Sequence, residues 1–336
     1  MVIRMQEGEA MEAERFIGID VAKHWVDVAE LPCPAGSRPS VRVANDADGW
    51  AALVERFTAD PPTLIVLEAS GGYEIGLVTS LDLAGLTPVV ANPLSTRRFA
   101  QSQGRRAKTD RIDALMLADY GARLRPTPRP VPEATARKLQ ELLTRHRQLT
   151  KMVVEEKNRG HQASPLLRPS VEAHIAWLEQ QRTEVDRLMA SVVASDPDWQ
   201  ARVAVLDSVP GIGLLTATIL AVGVPELGDC SGKAAAALLG VAPYAVESGL
   251  HRGQRHIGGG RRQVRHALYE AVMTTIRWEP TFRAHYAQLR AAGKPHKLAM
   301  IACMRRLLGI LTAMLRDGLT WKQTKVGQGH FLVSSS

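Results

Sequence analysis

The chain has 336 residues, of which 45% are hydrophobic and 5% aromatic, and its formal net charge is +8. This length allows two domains with packed cores, and the hydrophobic content is that of a globular protein rather than a disordered one. The positive charge is concentrated near the C-terminus, because residues 251–316 hold 13 Lys and Arg against two Glu. Such a segment favours a polyanionic partner, and a nucleic-acid surface explains it better than a merely solvated face does.

Cysteine usage and hydropathy exclude several other classes of protein. Cys33, Cys230 and Cys303 are isolated, so neither a disulfide framework nor a zinc site is predicted. The first 15 residues are polar and acidic, unlike a signal peptide. The most apolar segment, residues 214–227, is shorter than a membrane-spanning helix and is interrupted by glycine and proline. We therefore expect a cytoplasmic protein without a membrane partner.

The first third of the chain alternates between strand-like and helical patterns. Apolar runs predict strands at residues 16–20, 26–31, 41–44, 63–67 and 88–91. Helical spacing predicts helices at residues 49–57, 75–84 and 108–120. Strands that alternate with helices indicate an α/β domain with a partly parallel sheet. Residues 123–133 are rich in proline and predict an extended linker after this domain.

The rest of the chain is predicted to be all-α. Apolar residues recur every three or four positions in residues 134–157 and 171–193, which predicts two long helices joined by a loop. Such a pair forms a helical hairpin or antiparallel coiled coil, acting either as a packed spacer or as an oligomerisation arm. Farther on, the turn PGIG at residues 210–213 precedes an apolar helix and resembles a helix-hairpin-helix element. Gly211 and Gly213 are therefore candidates for backbone contacts with a phosphate.

Four acids stand where metal chemistry would need them. Asp20 and Glu68 each follow a predicted strand, and functional groups gather at strand carboxyl ends in parallel sheets. Asp110 and Asp113 are three residues apart, so they share one face of a predicted helix. Each acid alone has an ordinary structural explanation, such as a cap or an ion pair. Together they suit two Mg²⁺ ions that assist phosphoryl transfer, because clustered carboxylates repel one another unless cations neutralise them.

One serine stands at the start of the basic segment, in the sequence VESGLHRG. Taken alone, Ser248 is more typical of a turn residue than of a nucleophile. The basic residues around the candidate sites are candidate phosphate contacts, and they are Lys108, Arg252, Arg255, Arg261, Arg262 and Arg265.

The chain resembles the DEDD transposases of bacterial insertion sequences in the insertion-sequence one-ten family, a group that includes a pilin-gene invertase. The matching segments, in family order, are FIGIDVAKHWVDVA, LEASGGYE, ANPLSTRRFAQSQGRRAKTDRIDALMLADYG, LDSVPGIGLLTATILAVG, AALLGVAPYAVESG and HIGGGRRQVRHALYEAV. They span nearly the whole chain, and the KTDRIDA segment together with the later SG element is highly specific.

The resemblance implies a fold and a division into domains. It implies an RNase H-like (RuvC-like) catalytic domain over residues 1–122 and a linker with a helical coiled-coil hairpin over residues 123–200. Residues 201–325 would form a helical C-terminal transposase domain with the catalytic serine and a basic DNA-binding surface. Residues 326–336 would be a tail, for which the resemblance offers no counterpart.

The resemblance also implies the chemistry. Asp20, Glu68, Asp110 and Asp113 would hold Mg²⁺, with Mn²⁺ as an alternative, and Ser248 would attack DNA to form a phosphoserine link. The expected partners are donor DNA, target DNA and a non-coding guide RNA, called a bridge RNA, that pairs with both. We further expect a nucleoid-associated homo-oligomer, a dimer or a tetramer, in which one subunit's serine completes another's metal site.

Two other functions remain open from the residues alone. A hydrolytic RuvC-like nuclease or Holliday junction resolvase would use the same acids to activate water, with Ser248 in a structural role. A non-catalytic nucleic-acid-binding module would explain the charge but would leave all four acids unexplained. An actin-like sugar kinase is disfavoured, because Val-Ala-Lys follows Asp20 in place of the small residues that contact nucleotide phosphate.

Overall fold

The computed structural model describes residues 14–33, 40–104, 110–128, 133–244, 247–248, 251–252 and 256–324, with the backbone alone at 110–112, 247–248 and 251–252. The chain divides into two compact units, Met1–Pro132 and Glu133–Ser336. In the described residues, the first unit is mixed α/β and the second is mostly helical. The boundary falls at the end of the predicted proline-rich linker. The finer division into four segments stays a prediction.

The first unit contains a five-stranded sheet. Its strands are β1 (Phe16–Val21), β2 (Trp25–Leu31), β3 (Ser40–Ala44), β4 (Leu64–Glu68) and β5 (Val89–Ala91). Their order across the sheet is β3-β2-β1-β4-β5. β1 and β2 form an antiparallel hairpin that β3 extends, whereas β4 lies parallel to β1 and β5 parallel to β4. The five predicted strands and the partly parallel sheet are confirmed, with each boundary within one residue.

Helices cover both faces of this sheet because the side chains of each strand alternate between the faces. On one face, Ile17 and Ile19 of β1 pack with Phe57 of α1 (Ala47–Ala59) and with α2 (Ile75–Leu83). On the other face, Val66 of β4 packs with α4 (Asp110–Leu124) and with α3 (Pro93–Ser102). The face that α4 covers carries the candidate acids.

The helices on the second face differ from the prediction. α3 was not predicted, although it begins at a recognisable cap: the Asn92 side chain accepts a hydrogen bond of 2.8 Å from the Leu94 amide, and Pro93 occupies the first turn. α4 continues to Leu124, into the segment predicted as a linker. The predicted start of this helix at Lys108 lies outside the described residues.

The second unit begins with the predicted helical hairpin. α5 (Ala134–Gln162) and α6 (Arg168–Ala194) pack antiparallel through an apolar seam that includes Leu149 and Leu178. Both helices are longer than predicted, because their polar ends bury few apolar residues and give little periodic signal. An ion pair of 2.8 Å between Lys157 and Glu179 joins the exposed edges.

The remaining helices form a second core. They are α7 (Pro197–Asp207), α8 (Leu214–Gly223), α9 (Gly232–Leu238), α10 (Arg262–Trp278), α11 (Pro280–Ala291) and α12 (His296–Asp317), followed by a 3₁₀ turn at Trp321–Gln323. Between α9 and α10 lie four two-residue strands: β6 (Pro243–Tyr244), β7 (Glu247–Ser248), β8 (His251–Arg252) and β9 (His256–Ile257). These strands were not predicted, because two residues are too few to show a period.

α12 is long and apolar enough to span a membrane by length and composition, with a mean hydropathy of 1.8 over its most apolar window. It packs against α7, α9, α10 and α11, and residues such as Met304, Leu307 and Leu311 are fully buried there. Its apolar character is therefore explained by its place in the core of the second unit.

Candidate active site and nucleic-acid interface

Two of the predicted acids lie side by side at one end of the sheet. β1 and β4 are parallel, and their last paired residues are Ile19 and Leu67. Asp20 and Glu68 are the next residues on the two strands, so they are neighbours across the sheet. Both point to the face that α4 covers, because they follow Gly18 and Val66 by two residues. Both are partly buried.

α4 approaches this face closely because glycines line its path. A Cβ atom on Gly18 would lie 2.0 Å from the Ala114 carbonyl oxygen and 2.3 Å from the Ala118 amide nitrogen. Farther along α4, Gly121 lies beside Phe16: a Cβ atom on Gly121 would be 3.8 Å from the Phe16 ring. Since later residues of α4 meet earlier residues of β1, the helix and the strand run in opposite directions.

This direction brings the other two acids toward the first pair. Asp20 lies beyond Gly18 on β1, so the part of α4 nearest to it precedes Ala114. Asp110 and Asp113 occupy that first turn of the helix. Asp113 is partly buried, whereas the side chain of Asp110 lies outside the described residues. The backbone thus directs the start of α4, with two acids, to the end of the sheet where Asp20 and Glu68 lie.

Glu68 is held by a residue that sequence reasoning missed. The Thr96 hydroxyl of α3 donates a hydrogen bond of 2.7 Å to Glu68 Oε2, and Thr96 is fully buried. This bond occupies one carboxylate oxygen and fixes the side chain's orientation. The signal available in the sequence was the Asn92-Pro93 helix start, which places Thr96 in the first turn of α3.

A fifth acid, Asp27, was also missed. It lies directly opposite Asp20 on β2, and its side chain is only 1% exposed. Arg42, its partner on β3, donates two hydrogen bonds to the carboxylate, at 3.1 and 2.6 Å. The Arg42 guanidinium also lies 4.8 Å from the centre of the Trp25 ring. A row of charged residues therefore crosses four neighbouring strands, in the order Arg42, Asp27, Asp20 and Glu68. Within this row, Arg42 neutralises the charge of Asp27.

The donor set suits a hard divalent cation, since carboxylate oxygens are the ligands that Mg²⁺ prefers. Among the described side chains, however, no three His, Cys, Asp or Glu groups lie close enough together to hold a metal ion. Asp110 is outside that set. The residues thus have the chemistry of metal ligands, but the described side chains do not gather into a metal site.

The candidate nucleophile lies near the tip of a narrow β-hairpin. β6 pairs with β9 through Pro243–Ile257 and Tyr244–His256. Farther out, β7 pairs with β8, and Ser248 lies opposite His251. Residues 249–250, between these partners, are outside the described residues, as is the Ser248 side chain. Ser248 thus belongs to the second ladder of a hairpin that lies between α9 and α10 in the chain.

The predicted phosphate contacts fall into distinct groups. Lys108 and Arg255 lie outside the described residues, and Arg252 is described in its backbone alone. Arg262 is exposed at the start of α10. Arg261 and Arg265 bind protein groups.

The guanidinium of Arg261 makes two bonds of 2.6 Å to the Glu226 carboxylate. Arg265 donates to backbone carbonyls of Leu239, Gly240 and Gly259. These contacts give both arginines a structural part at the base of the hairpin.

The PGIG turn is packed against α10. The buried Thr275 hydroxyl lies 2.8 Å from both the Pro210 and the Ala271 carbonyl oxygens, and its one hydrogen is donated to this pair of acceptors. Gly211 has a φ of +95°, and a Cβ there would meet the Thr275 amide nitrogen at 2.6 Å, so glycine is required. Gly213 precedes α8 and has open space where a Cβ would be. The amides of the first turn of α8 are therefore approachable from the side of Gly213.

Two family comparisons match this chain. A model of the DEDD transposases of the IS110 group, described as "Transposase", matches residues 17–166. A second, described as "Transposase IS116/IS110/IS902 family", matches residues 203–287. The first covers the sheet, α4 and part of the helical hairpin, and the second covers the PGIG turn and the segment with Ser248.

Individual relatives agree with these matches. The "Pilin gene-inverting protein" of Moraxella bovis is 28% identical over 314 residues, which are 91% of this chain and 97% of that protein. The "Insertion element IS110 uncharacterized 43.6 kDa protein" of Streptomyces coelicolor is 31% identical over 166 residues, 48% of this chain and 39% of that protein. With both family models matched in order along its two units, the chain belongs to the IS110 family of transposases.

Proposed function

We propose that this DNA transposase cuts and rejoins DNA through a phosphoserine intermediate formed by Ser248, assisted by Mg²⁺ at the four acids. Breakage and rejoining of DNA follow from membership of the family. What we propose beyond this is the covalent step at Ser248, the bound Mg²⁺ and an RNase H-like fold for the first domain. The observation that supports it is the direction of three elements with acidic residues: the parallel strands β1 and β4 end at the same end of the sheet, and the start of α4 is directed toward that end.

The four acids are proposed to bind the cation. Without it, their negative charges would repel the phosphate groups of DNA. Asp20, Glu68, Asp110 and Asp113 would be its ligands, and Mn²⁺ is the alternative ion. A divalent cation bound there would neutralise charge on the scissile phosphate and on the leaving oxygen. Thr96 would keep Glu68 oriented, while Arg42 keeps the neighbouring Asp27 paired and out of the ligand set. Such supporting contacts typically matter about 10–100-fold for metal affinity or activity.

The serine is proposed to act as the nucleophile. Its hydroxyl oxygen would form a bond to the phosphorus while the bond from phosphorus to the leaving sugar oxygen breaks, with the serine proton transferred to solvent or a base and the leaving oxygen protonated. The link keeps the energy of the phosphodiester, so a second sugar hydroxyl can reverse the step and join a new strand without an external energy source. The position of Ser248 near the end of a two-stranded hairpin supports this role, because a residue there can approach a phosphate on DNA.

The test of the serine is a matched pair of variants. Ser248→Ala should abolish recombination and any protein–DNA adduct while unfolding free energy stays unchanged. Ser195→Ala, an exposed serine that ends α6, serves as the control and should recombine normally. A Ser248→Ala protein that recombines fully would overturn the assignment.

Hydrolysis is the alternative mechanism. The acids of a RuvC-like nuclease or junction resolvase would activate water, and Ser248 would be structural. Both mechanisms require a metal, so metal removal does not separate them. A denaturation-resistant protein–DNA species on a nicked suicide substrate favours the serine mechanism, and cleavage without such a species favours hydrolysis.

The basic segment is proposed to bind the nucleic acids. Donor DNA, target DNA and a guide RNA are the proposed partners. Gly213 and Arg262 are exposed candidates for contacts with them, whereas the candidate Gly211 is partly buried against α10. Lys108, Arg252 and Arg255 remain candidates from the sequence. Alanine at Arg262 should weaken binding about equally for all DNA sequences, because phosphate contacts carry no sequence information.

The acids and the serine belong to different units of the chain, which supports a site shared between subunits. We propose a homo-oligomer, a dimer or a tetramer, with the α5–α6 hairpin as the assembly element. A mixture of Ser248→Ala and Asp20→Ala proteins should regain part of the activity if sites are shared. No recovery in verified mixed oligomers would contradict sharing.

A further inference from the structure

The hairpin that ends near Ser248 leaves and rejoins the second unit at two glycines in backbone contact. Gly240 has a φ of +70°, and a Cβ there would lie 2.2 Å from the Gly259 carbonyl oxygen. Gly260 has a φ of +67°, and a Cβ there would lie 2.2 Å from the Gly240 amide nitrogen. Side chains are excluded from this crossing, so the two ends of the hairpin touch through backbone alone.

Arg265 of α10 ties this crossing together. Its Nη1 lies 3.1 Å from the Leu239 carbonyl oxygen, 3.4 Å from that of Gly240 and 2.7 Å from that of Gly259. One guanidinium therefore holds the segment that enters the hairpin and the segment that returns from it. The Arg261 amide adds a bond of 2.9 Å to the Leu238 carbonyl oxygen beside it.

The pairing that the structure describes along the hairpin is short. In the described residues, each of its two ladders joins two residue pairs. A two-stranded hairpin is marginally stable in water even when it is longer than this. The eight Cα–Cα steps from Gly240 to Ser248 can span up to about 26 Å, and at that distance a rotation of about 5° at the base would move Ser248 by about 2 Å. A displacement of 1 Å at a reacting group can cost about 100-fold in rate.

We propose that Arg265 is a positioning residue for Ser248: by bridging the two ends of the hairpin at the Gly240–Gly260 crossing, it fixes the direction in which the serine is presented to DNA. This inference rests on the proposed role of Ser248 as the nucleophile. It assigns the Arg265 guanidinium to carbonyl groups of the protein, in contrast to the phosphate contact that its place in the basic segment predicts.

Substitution at Arg265 separates the two roles. Lysine keeps the positive charge, but its ammonium nitrogen lies one bond nearer to the backbone than Arg265 Nη1, the single atom that lies near all three carbonyl oxygens. A phosphate contact would survive Arg265→Lys in large part, whereas a bridge between carbonyls would not. Arg262→Ala is the matched comparison, since it removes the same charge from the same turn of α10 at an exposed position.

The experiment measures three quantities on the full-length protein: DNA affinity with its salt dependence, the rate of adduct formation at saturating DNA, and amide hydrogen exchange over residues 238–262. We expect Arg265→Lys and Arg265→Ala to keep DNA affinity within about twofold and to leave the salt slope unchanged. Adduct formation should fall about 10–100-fold. Exchange of the Tyr244, His256 and Ile257 amides should accelerate. Arg262→Ala should instead weaken DNA binding and lower the salt slope by about 1, and it should leave amide exchange in the hairpin unchanged.

Gly260→Ala tests the same base of the hairpin without changing any charge, and it should reproduce the faster exchange and the slower adduct formation. Unchanged exchange in Arg265→Lys, or a loss of DNA affinity that matches that of Arg262→Ala, would overturn the positioning role. The exchange measurement is independent of the chemistry. A Ser248→Ala protein that still forms the adduct would therefore refute the nucleophile while the exchange result still decides whether Arg265 holds the hairpin.

Discussion

Replacing Gly18 with alanine tests whether the close packing of α4 on β1 aligns the candidate acids. The new methyl group would lie 2.0 Å from the Ala114 carbonyl oxygen and 2.3 Å from the Ala118 amide nitrogen. Both atoms belong to the backbone of α4, so no side chain can rotate away. Ordinary contact between such atoms begins near 3.4 Å, and the helix must therefore move outward by more than about 1 Å.

The expected cost has two parts. Overpacking a well-packed core costs about 1–3 kcal/mol, so the unfolding free energy of the first unit should fall by that amount. The movement also displaces Asp110 and Asp113 from Asp20, and a 1 Å misplacement costs about 100-fold in rate. We therefore expect a folded protein that retains DNA binding but cleaves about 100-fold more slowly.

The assay combines denaturant unfolding with cleavage of a labelled DNA substrate below the unfolding midpoint. Gly309→Ala is the control, because this glycine lies within α12 and has no atom within 4 Å of a new Cβ. The control should gain about 0.5–1 kcal/mol from helix propensity and should cleave normally. Wild-type stability in Gly18→Ala would refute the close packing. If Gly18→Ala lowers the stability but cleaves DNA at the wild-type rate, the packing of α4 on β1 does not align the acids for cleavage.

Three further predictions follow from individual contacts. Thr96→Val removes the 2.7 Å hydrogen bond to Glu68, so metal-dependent cleavage should fall about 10-fold with a higher Mg²⁺ requirement, as measured by a metal titration. Arg42→Ala leaves the buried Asp27 carboxylate without this partner and should cost about 1–3 kcal/mol in denaturant unfolding. Burial lowers the pKa of His146, although a neighbouring carboxylate opposes the shift. The folded protein therefore binds this proton less readily than the unfolded chain does, and unfolding free energy should decrease as the pH falls below about 6.5. His146→Gln should show a smaller decrease, and an equal one would contradict the prediction.

Much of the first unit could be predicted from the sequence because its strands are short apolar runs bounded by turn residues. The run FIGID and the run TLIVL gave strands at positions close to those observed. α3 was missed because the segment PLSTRRFAQS is mostly polar and buries only Thr96 and Phe99. The four short strands near Ser248 were missed because a two-residue strand carries no alternation.

The site was only partly predictable for a related reason. The sequence places acids at strand ends, but only the register brings Asp20 beside Glu68 and opposite Asp27. Arg261 and Arg265 lie among other basic residues, so charge alone predicted phosphate contacts. Their bonds to a carboxylate and to carbonyls depend on which backbone segments cross beneath them, which composition does not encode.

The most direct test of the account is to identify the atom that becomes attached to DNA. The full-length protein would be incubated with matched donor and target DNA, Mg²⁺ and the RNA transcribed from the flank of the element. The adduct would then be digested and the modified peptide mapped by mass spectrometry. We predict a single phosphodiester link at Ser248 that is lost in both Ser248→Ala and Asp20→Ala. DNA cleavage without any adduct, or a link at Tyr244 or another residue, would contradict it.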